Sequence, residues 1–294
     1  MSSPSSSIDY AALFGIHSVA AAAIFAVLFF PLGIWFIRQS IKNTTYVYII
    51  LALFCQMRVT AFIIRAIMAN STSAGSNLNL FIADQVLFGV GFFALLYSAY
   101  TLVLDRDVLA GGQRGSLFSF NPLRNPHAFR MALMAAVAIG IVATVDSTSS
   151  NSSDVSTGHS LRKVSTILFL ALTLVQVGQS LWFLKDTTGC EFFPKSSTRP
   201  WGDRFGRYLI CLISLLMLVR ELFLTATIND AAKQNNERLW YPLVALPEFL
   251  AVVCYSVSGL VPTRAALKAV DNNNDSAYSM RGGTRVMLQS RCGV

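Results

Sequence analysis

Residues 45–69 read TYVYIILALFCQMRVTAFIIRAIMA. At ~1.5 Å of helical rise per residue, the run is long enough to cross the ~30 Å hydrocarbon layer of a bilayer. It is apolar throughout except for Gln56 and two arginines, Arg58 and Arg65. Seven residues separate the arginines, so on a helix they share one face. A guanidinium at that depth costs several kcal/mol unless it meets a counter-charge or a wet cavity. The run therefore predicts a membrane-spanning helix and also a polar interior for it to face.

Six further apolar runs of similar length flank it, at 11–37, 79–104, 129–146, 161–184, 207–229 and 240–262. They are continuous rather than alternating, which excludes barrel strands. The composition agrees. The chain is 54% hydrophobic and 13% charged, against about 25% charged in a typical soluble domain. The expected fold is all-α: a polytopic membrane protein with seven transmembrane helices. Residues 1–10 form a short N-terminal segment, 11–262 the seven-helix domain, and 263–294 a polar tail expected to be disordered. Met1 to Ser7 carries no basic residue ahead of the first apolar run, which is too long for a signal-peptide core and reads as a retained span.

The net charge of +8 is placed in loops rather than in a nucleic-acid patch. Arg38, Lys42, Arg106, Arg114, Arg124, Lys185, Lys195, Arg199 and Arg204 lie between spans 1 and 2, 3 and 4, and 5 and 6. Arg264, Lys268, Arg281, Arg285 and Arg291 follow span 7. Segments 70–78 and 147–160 hold no Lys or Arg, and Arg162 with Lys163 is a local exception at the start of span 5. The positive-inside rule then predicts the N-terminus outside and the C-terminus in the cytosol. Asn70 and Asn151 head glycosylation sequons on the predicted outer side, and Asn43 and Asn274 head two more on the other. Plasma membrane and endomembranes fit this orientation equally.

Three more spans carry acidic or basic residues: Asp84 in the third, Arg220 and Glu221 in the sixth, and Glu248 in the seventh. Counted by helical rise, these and the two arginines of span 2 all fall between the midplane and the outer surface. Arg65 with Asp84, and Arg58 with Glu248, are the expected couples. Arg65 is also shallow enough to snorkel outward. Arg220 and Glu221 point about 100° apart, so different neighbours are expected for them. Two roles follow. The six could line an outward-facing polar cavity that binds a ligand, helped by Gln56, Gln85, Gln176, Gln179 and His17, with Pro31, Pro242 and Pro247 bending spans 1 and 7. Alternatively they are packing ion pairs that hold the helices in register.

Other chemistries lack the residues they need. His17, His127 and His159 are too few and too scattered for a metal hydrolase or a haem site. The cysteines, Cys55, Cys190, Cys211, Cys254 and Cys292, have no zinc-ligand spacing, and no disulfide is expected. The seventh span has no lysine for a retinal Schiff base. Gly111-Gly112 with Gly115 is a flexible loop rather than a phosphate loop. Gly89 and Gly91 read as a site of close helix contact. No nucleophile, base and metal assemble into an enzyme, and no cofactor is expected.

The stretch from Arg58 to Ile67 resembles the second helix of fungal seven-helix membrane proteins. Ile82-Ala83, Leu95-Leu96, Tyr97 and Tyr100 ahead of Asp105-Arg106 extend the likeness. Leu218-Val219-Arg220-Glu221-Leu222-Phe223 is similar to the sixth helix of the RTA-like lipid-translocating exporter family. Glu237-Arg238-Leu239-Trp240-Tyr241, followed by Leu246-Pro247, resembles that family's entry into helix seven. Ser258-Gly259-Leu260-Val261-Pro262 stands where that family usually has His-Pro-Gly. Leu246-Pro247-Glu248-Phe249 looks like a sister group of fungal seven-helix proteins. The resemblance implies a multi-pass protein with lipid or toxicant export as an activity, and membrane lipids or an amphipathic small molecule as partners. On that reading Arg58 and Arg220 face an anion, and Glu221 and Glu248 are counter-charges or proton-coupled sites. The alternatives are a seven-helix receptor or sensor, whose basic inner loops contact a cytosolic partner, and a purely structural membrane protein. Asp105-Arg106 is a two-residue match to the acidic–Arg pair of rhodopsin-like receptors.

Overall fold

The computed structural model describes residues 10–13, 15–109, 126–149, 151–186, 201–234 and 236–269. Seven long apolar helices dominate it, each able to cross a membrane. They are α1 (Val19–Lys42), α2 (Tyr46–Asn70), α3 (Leu78–Leu109), α4 (Pro126–Asp146), α5 (Ser152–Asp186), α6 (Gly206–Ala226) and α7. The last is composite, with α-helix at Glu237–Trp240, a wide π segment at Tyr241–Ala245 and α-helix again at Leu246–Tyr255. No strand occurs among the described residues. The protein is an integral, multi-pass membrane protein of all-α class.

Consecutive helices pack against one another around a ring, and α7 closes it by returning to α1. The third helix is central. It touches α2, α4, α5 and α6, and two thirds of its most apolar window is buried. A helix apolar on all sides suits that place. At the periphery α1 and α4 are mostly uncovered and present Val27, Phe30, Met131 and Met134 outward. Such side chains would be a liability in water and are ordinary against lipid. One end of the bundle carries Asn70, Asn151 and Asp230, and the other carries Lys42, Arg106 and Lys185; these are called the Asn70 face and the Arg106 face below.

Element ends differ from the sequence expectation in three places. The run expected to begin at 11 is broken. Tyr10–Leu13 forms a single turn, Gly15 takes a left-handed φ of 68°, and α1 starts only at Val19. The Ser18 side chain caps it by accepting from the Ala21 N–H, a strong start signal hidden inside a continuous apolar run. At the other end α7 stops at Tyr255, and the chain turns at Gly259 with φ 84°. The fifth helix begins at Ser152, well before the apolar run at 161. Residues 264–269 are helical. The rest of the expected tail, Arg114, Arg124, Lys195, Arg199, Cys190, Cys292, Asn274 and the 111–115 glycines lie outside the described residues.

The prolines act unequally. The first helix runs unbroken through Pro31. In α7, Pro242 lies within the π segment and Pro247 just after it, and the Leu246 N–H donates to the Tyr241 carbonyl five residues back. Pro247 has no N–H to continue the four-residue ladder, so the wider turn takes over.

Candidate functional site

The six charges expected to meet inside the bundle form two buried clusters, one of four and one of two. On α2 the buried stripe passes through Leu51, Cys55, Arg58, Phe62 and Arg65, so both arginines occupy positions that would otherwise be core. Arg58 is wholly buried. Its Nε donates to Glu248 Oε2 at 2.6 Å and its Nη2 to Glu248 Oε1 at 2.7 Å, a two-pronged pair between α2 and α7. It also donates to the α3 carbonyls of Leu87 and Phe88, both at 3.1 Å. Access to those carbonyls depends on Gly91. A Cβ there would stand 2.7 Å from Arg58 Nη1. The glycine expected to permit helix contact instead makes room for a guanidinium.

Glu248 is shared. Its Oε1 also accepts from Arg220 Nε on α6 at 2.8 Å, and Arg220 Nη1 donates to Glu221 beside it. The expectation that Arg220 and Glu221 serve different neighbours is corrected here. The buried face of α6 runs through Ile210, Ser214, Met217 and both charged residues. A stripe that wide accommodates residues 100° apart, and the long arginine stem folds back across it. The network therefore ties α2, α3, α6 and α7 through one carboxylate.

The second cluster lies nearer the Asn70 face. Arg65 Nε donates to both oxygens of Asp84 at 3.1 Å, and Gln85 Nε2 adds a bond to Asp84 at 3.3 Å. Arg65 does not snorkel; it is 8% exposed. Its guanidinium lies 3.7 Å from the centre of the Trp240 ring and 4.3 Å from that of Phe88. Phe88 also receives Arg58, at 4.5 Å, and Phe92 receives Arg220, at 3.9 Å. Aromatic faces thus complement the cations where carboxylates do not reach. Removing one partner from a buried pair of this kind costs about 3–5 kcal/mol, because the other charge stays behind.

A cavity of about 160 Å³ adjoins these clusters. Arg65, Arg220 and Glu221 form part of its wall, whereas Arg58, Asp84 and Glu248 sit behind it. Gln85 and Gly89 of α3, Gly140 and Thr144 of α4, Ser165 and Phe169 of α5, and Trp240 of α7 complete the lining. No atom lies within 4 Å of where a Gly89 Cβ would be. Gln176 and Gln179, expected at this site, lie apart from the cavity wall, each with a buried oxygen lacking a partner. His17 is exposed, and its backbone N–H donates to Glu237.

One charged wall residue was not among the expected six. Arg162 of α5 lines the cavity, and its Nη2 donates to Gln234 Oε1 at 3.0 Å. Its signal in the sequence is its place, an arginine on the face that should lack them, followed by Ser165, Thr166 and Phe169 at helical spacing.

At the Arg106 face a separate clamp joins three elements. Arg106 at the end of α3 donates to the Leu260 carbonyl at 2.9 Å, to that of Gly259, and to Asp203 at 2.7 Å. The Gly202 N–H donates to the Ser258 carbonyl at 2.9 Å. The described cysteines, Cys55, Cys211 and Cys254, are free thiols.

No protein-family model, curated protein or solved structure matches this chain.

Proposed function

We propose that the protein is transporter-like and handles lipids or amphipathic small molecules through a polar cavity that opens toward the extracellular or lumenal side. The observation that carries this reading is the juxtaposition of the cavity with the charge network. Arg220 and Glu221 belong to both, so a ligand in the cavity touches groups that also hold α2, α6 and α7 together. A network built only for packing has no need of a cavity beside it. Coupling of this kind lets occupancy alter helix contacts, the physical requirement of a moving carrier.

The test is reconstitution of the full chain in liposomes with labelled phospholipid. Wild-type protein is expected to accelerate movement between leaflets, and Glu221→Gln to slow it about tenfold or more, the scale of one lost charge-assisted hydrogen bond. A folded wild-type protein that leaves lipid exchange at the protein-free rate sinks the proposal.

A receptor reading has one observation of its own, the Arg106 clamp. It binds the ends of α3 and α7 and the Trp201–Arg204 turn ahead of α6 at the face expected to be cytosolic. Opening it would expose three carbonyl groups to a soluble partner. Ligand-dependent capture of a cytosolic protein, absent in Arg106→Ala, is the outcome that reading requires.

A further inference from the structure

Among the described residues the bundle buries three guanidiniums, of Arg58, Arg65 and Arg220, and three carboxylates, of Asp84, Glu221 and Glu248, and a fourth guanidinium, of Arg162, stands half-buried at the cavity wall. Every carboxylate is engaged by Arg58, Arg65 or Arg220. Among the described residues Arg162 has no carboxylate partner; its side chain donates to the neutral oxygen of Gln234. The formal charges of these seven groups sum to +1, and the cation without a carboxylate stands at the cavity wall. A half-buried cation without a counter-charge, at the wall of a cavity, favours a bound anion there.

The remaining donors point the same way. One of the five N–H groups of Arg162 is committed to Gln234, and Arg220 Nη2 has no acceptor among the described residues. The hydroxyls on the wall are already spent inward. Ser165 donates to the Ala136 carbonyl, Thr166 to that of Arg162 and Thr144 to that of Gly140. The site thus offers charged N–H donors, which suit a planar or tetrahedral oxyanion. The volume of about 160 Å³ holds one such group and not a whole lipid. Val86 and Val90 of α3 and Val137 and Ile141 of α4 supply an apolar rim, and Ile141 is exposed on the lipid-facing side.

We infer that the cavity is a site for a singly charged oxyanion, a phosphate or carboxylate, anchored by Arg162 with Arg220 at its inner end. The inference rests on the proposed cavity function and names its ligand. Two sources share this chemistry: a free anion, and the headgroup of an amphiphile whose chain leaves over the valine rim.

The test is equilibrium binding to the purified full chain, with two probes. One is inorganic phosphate. The other is short-chain phosphatidate in phosphatidylcholine micelles, with phosphatidylcholine alone as the control. Two variants accompany the wild type. Arg162→Gln removes the cation. Gln234→Glu keeps it and supplies an internal carboxylate, so the pair is retained and the site is neutralised. Saturable binding that falls at least about tenfold in both variants is expected, as for one charge-assisted contact. Phosphate binding identifies a free anion, and binding of phosphatidate alone identifies a headgroup. If neither probe saturates the folded wild type, or if Gln234→Glu binds as well as wild type, the inference is overturned. Lipid movement reports separately. Protein that binds the anion but moves no lipid keeps this site and loses the transport reading, and lipid movement without anion binding does the reverse.

Discussion

The side chain that organises the interior is Arg58, and the residue that admits it is Gly91. Arg58 reaches past α3 to Glu248, and its guanidinium occupies the space a Gly91 Cβ would need. It cannot easily yield, because Glu248 and two α3 carbonyls hold it in place. Gly91→Ala is therefore expected to lower stability by about 1–3 kcal/mol, as overpacking does. Gly89→Ala, two residues away and facing open space, is expected to be neutral or to stabilise by up to ~1 kcal/mol through helix propensity. Thermal unfolding of the two variants in one detergent checks the contrast; equal midpoints would show that Gly91 does not set the Arg58 position. At this scale the sequence was legible where depth alone decides contact. Arg58 with Glu248 and Arg65 with Asp84 meet as expected from rise per residue. It was illegible where side-chain reach decides. Arg220 folds onto its own neighbour, and Arg162 reads as a local exception at the start of the fifth span until the ring of helices brings it to the same cavity as Arg220.

Among the elements α7 carries the most specific design, since its π segment sets the direction of Glu248. A wide turn adds a residue to the helix and rotates everything after it by about 100° relative to a regular helix. Pro247 sustains it by withholding an N–H. Propensity predicts that Pro247→Ala stabilises a helix interior, by up to ~3 kcal/mol. The expected outcome is the opposite sign. With an N–H restored, residues 241–245 can return to the four-residue ladder, which turns Glu248 away from Arg58 and Arg220 and strands two cations. A lower unfolding temperature for Pro247→Ala supports this account, and a higher one overturns it. The prolines were visible in the sequence as sources of bending, yet their effects were not. The first helix passes Pro31 without interruption, while Pro242 and Pro247, five apart, change the helix type. The start of α1 was misread for a related reason. Hydropathy averages over Gly15 and Ser18, the two residues whose local geometry ends one helix and starts the next.

For the whole molecule, seven apolar runs separated by polar segments were enough to yield seven helices, because length against bilayer thickness leaves few alternatives. The ring order, with α3 at its centre, was not available from hydropathy, which counts spans without saying which one is surrounded. The direction of the bundle across the membrane follows from the charge pattern as an expectation and has a direct consequence. The fifth helix is 35 residues long, about 52 Å at helical rise, well beyond the hydrocarbon thickness. Its first turns, Ser152 to Ser160, are polar, so they project ~13 Å from the apolar part and lift Asn151 clear of the membrane. Asn70 is also exposed but is the last residue of α2, at the end of an apolar run. If the Asn70 face is lumenal during synthesis, Asn151 is the sequon in reach of a bulky glycan, and Asn70 is a poor second. Expression in a eukaryotic host should then give a glycosidase-sensitive mass shift that Asn151→Gln removes and Asn70→Gln leaves largely intact. A shift that persists in Asn151→Gln but disappears in Asn43→Gln would invert the bundle and place the cavity wall with Arg162 on the cytosolic side. Its anion would then have to be a cytosolic one.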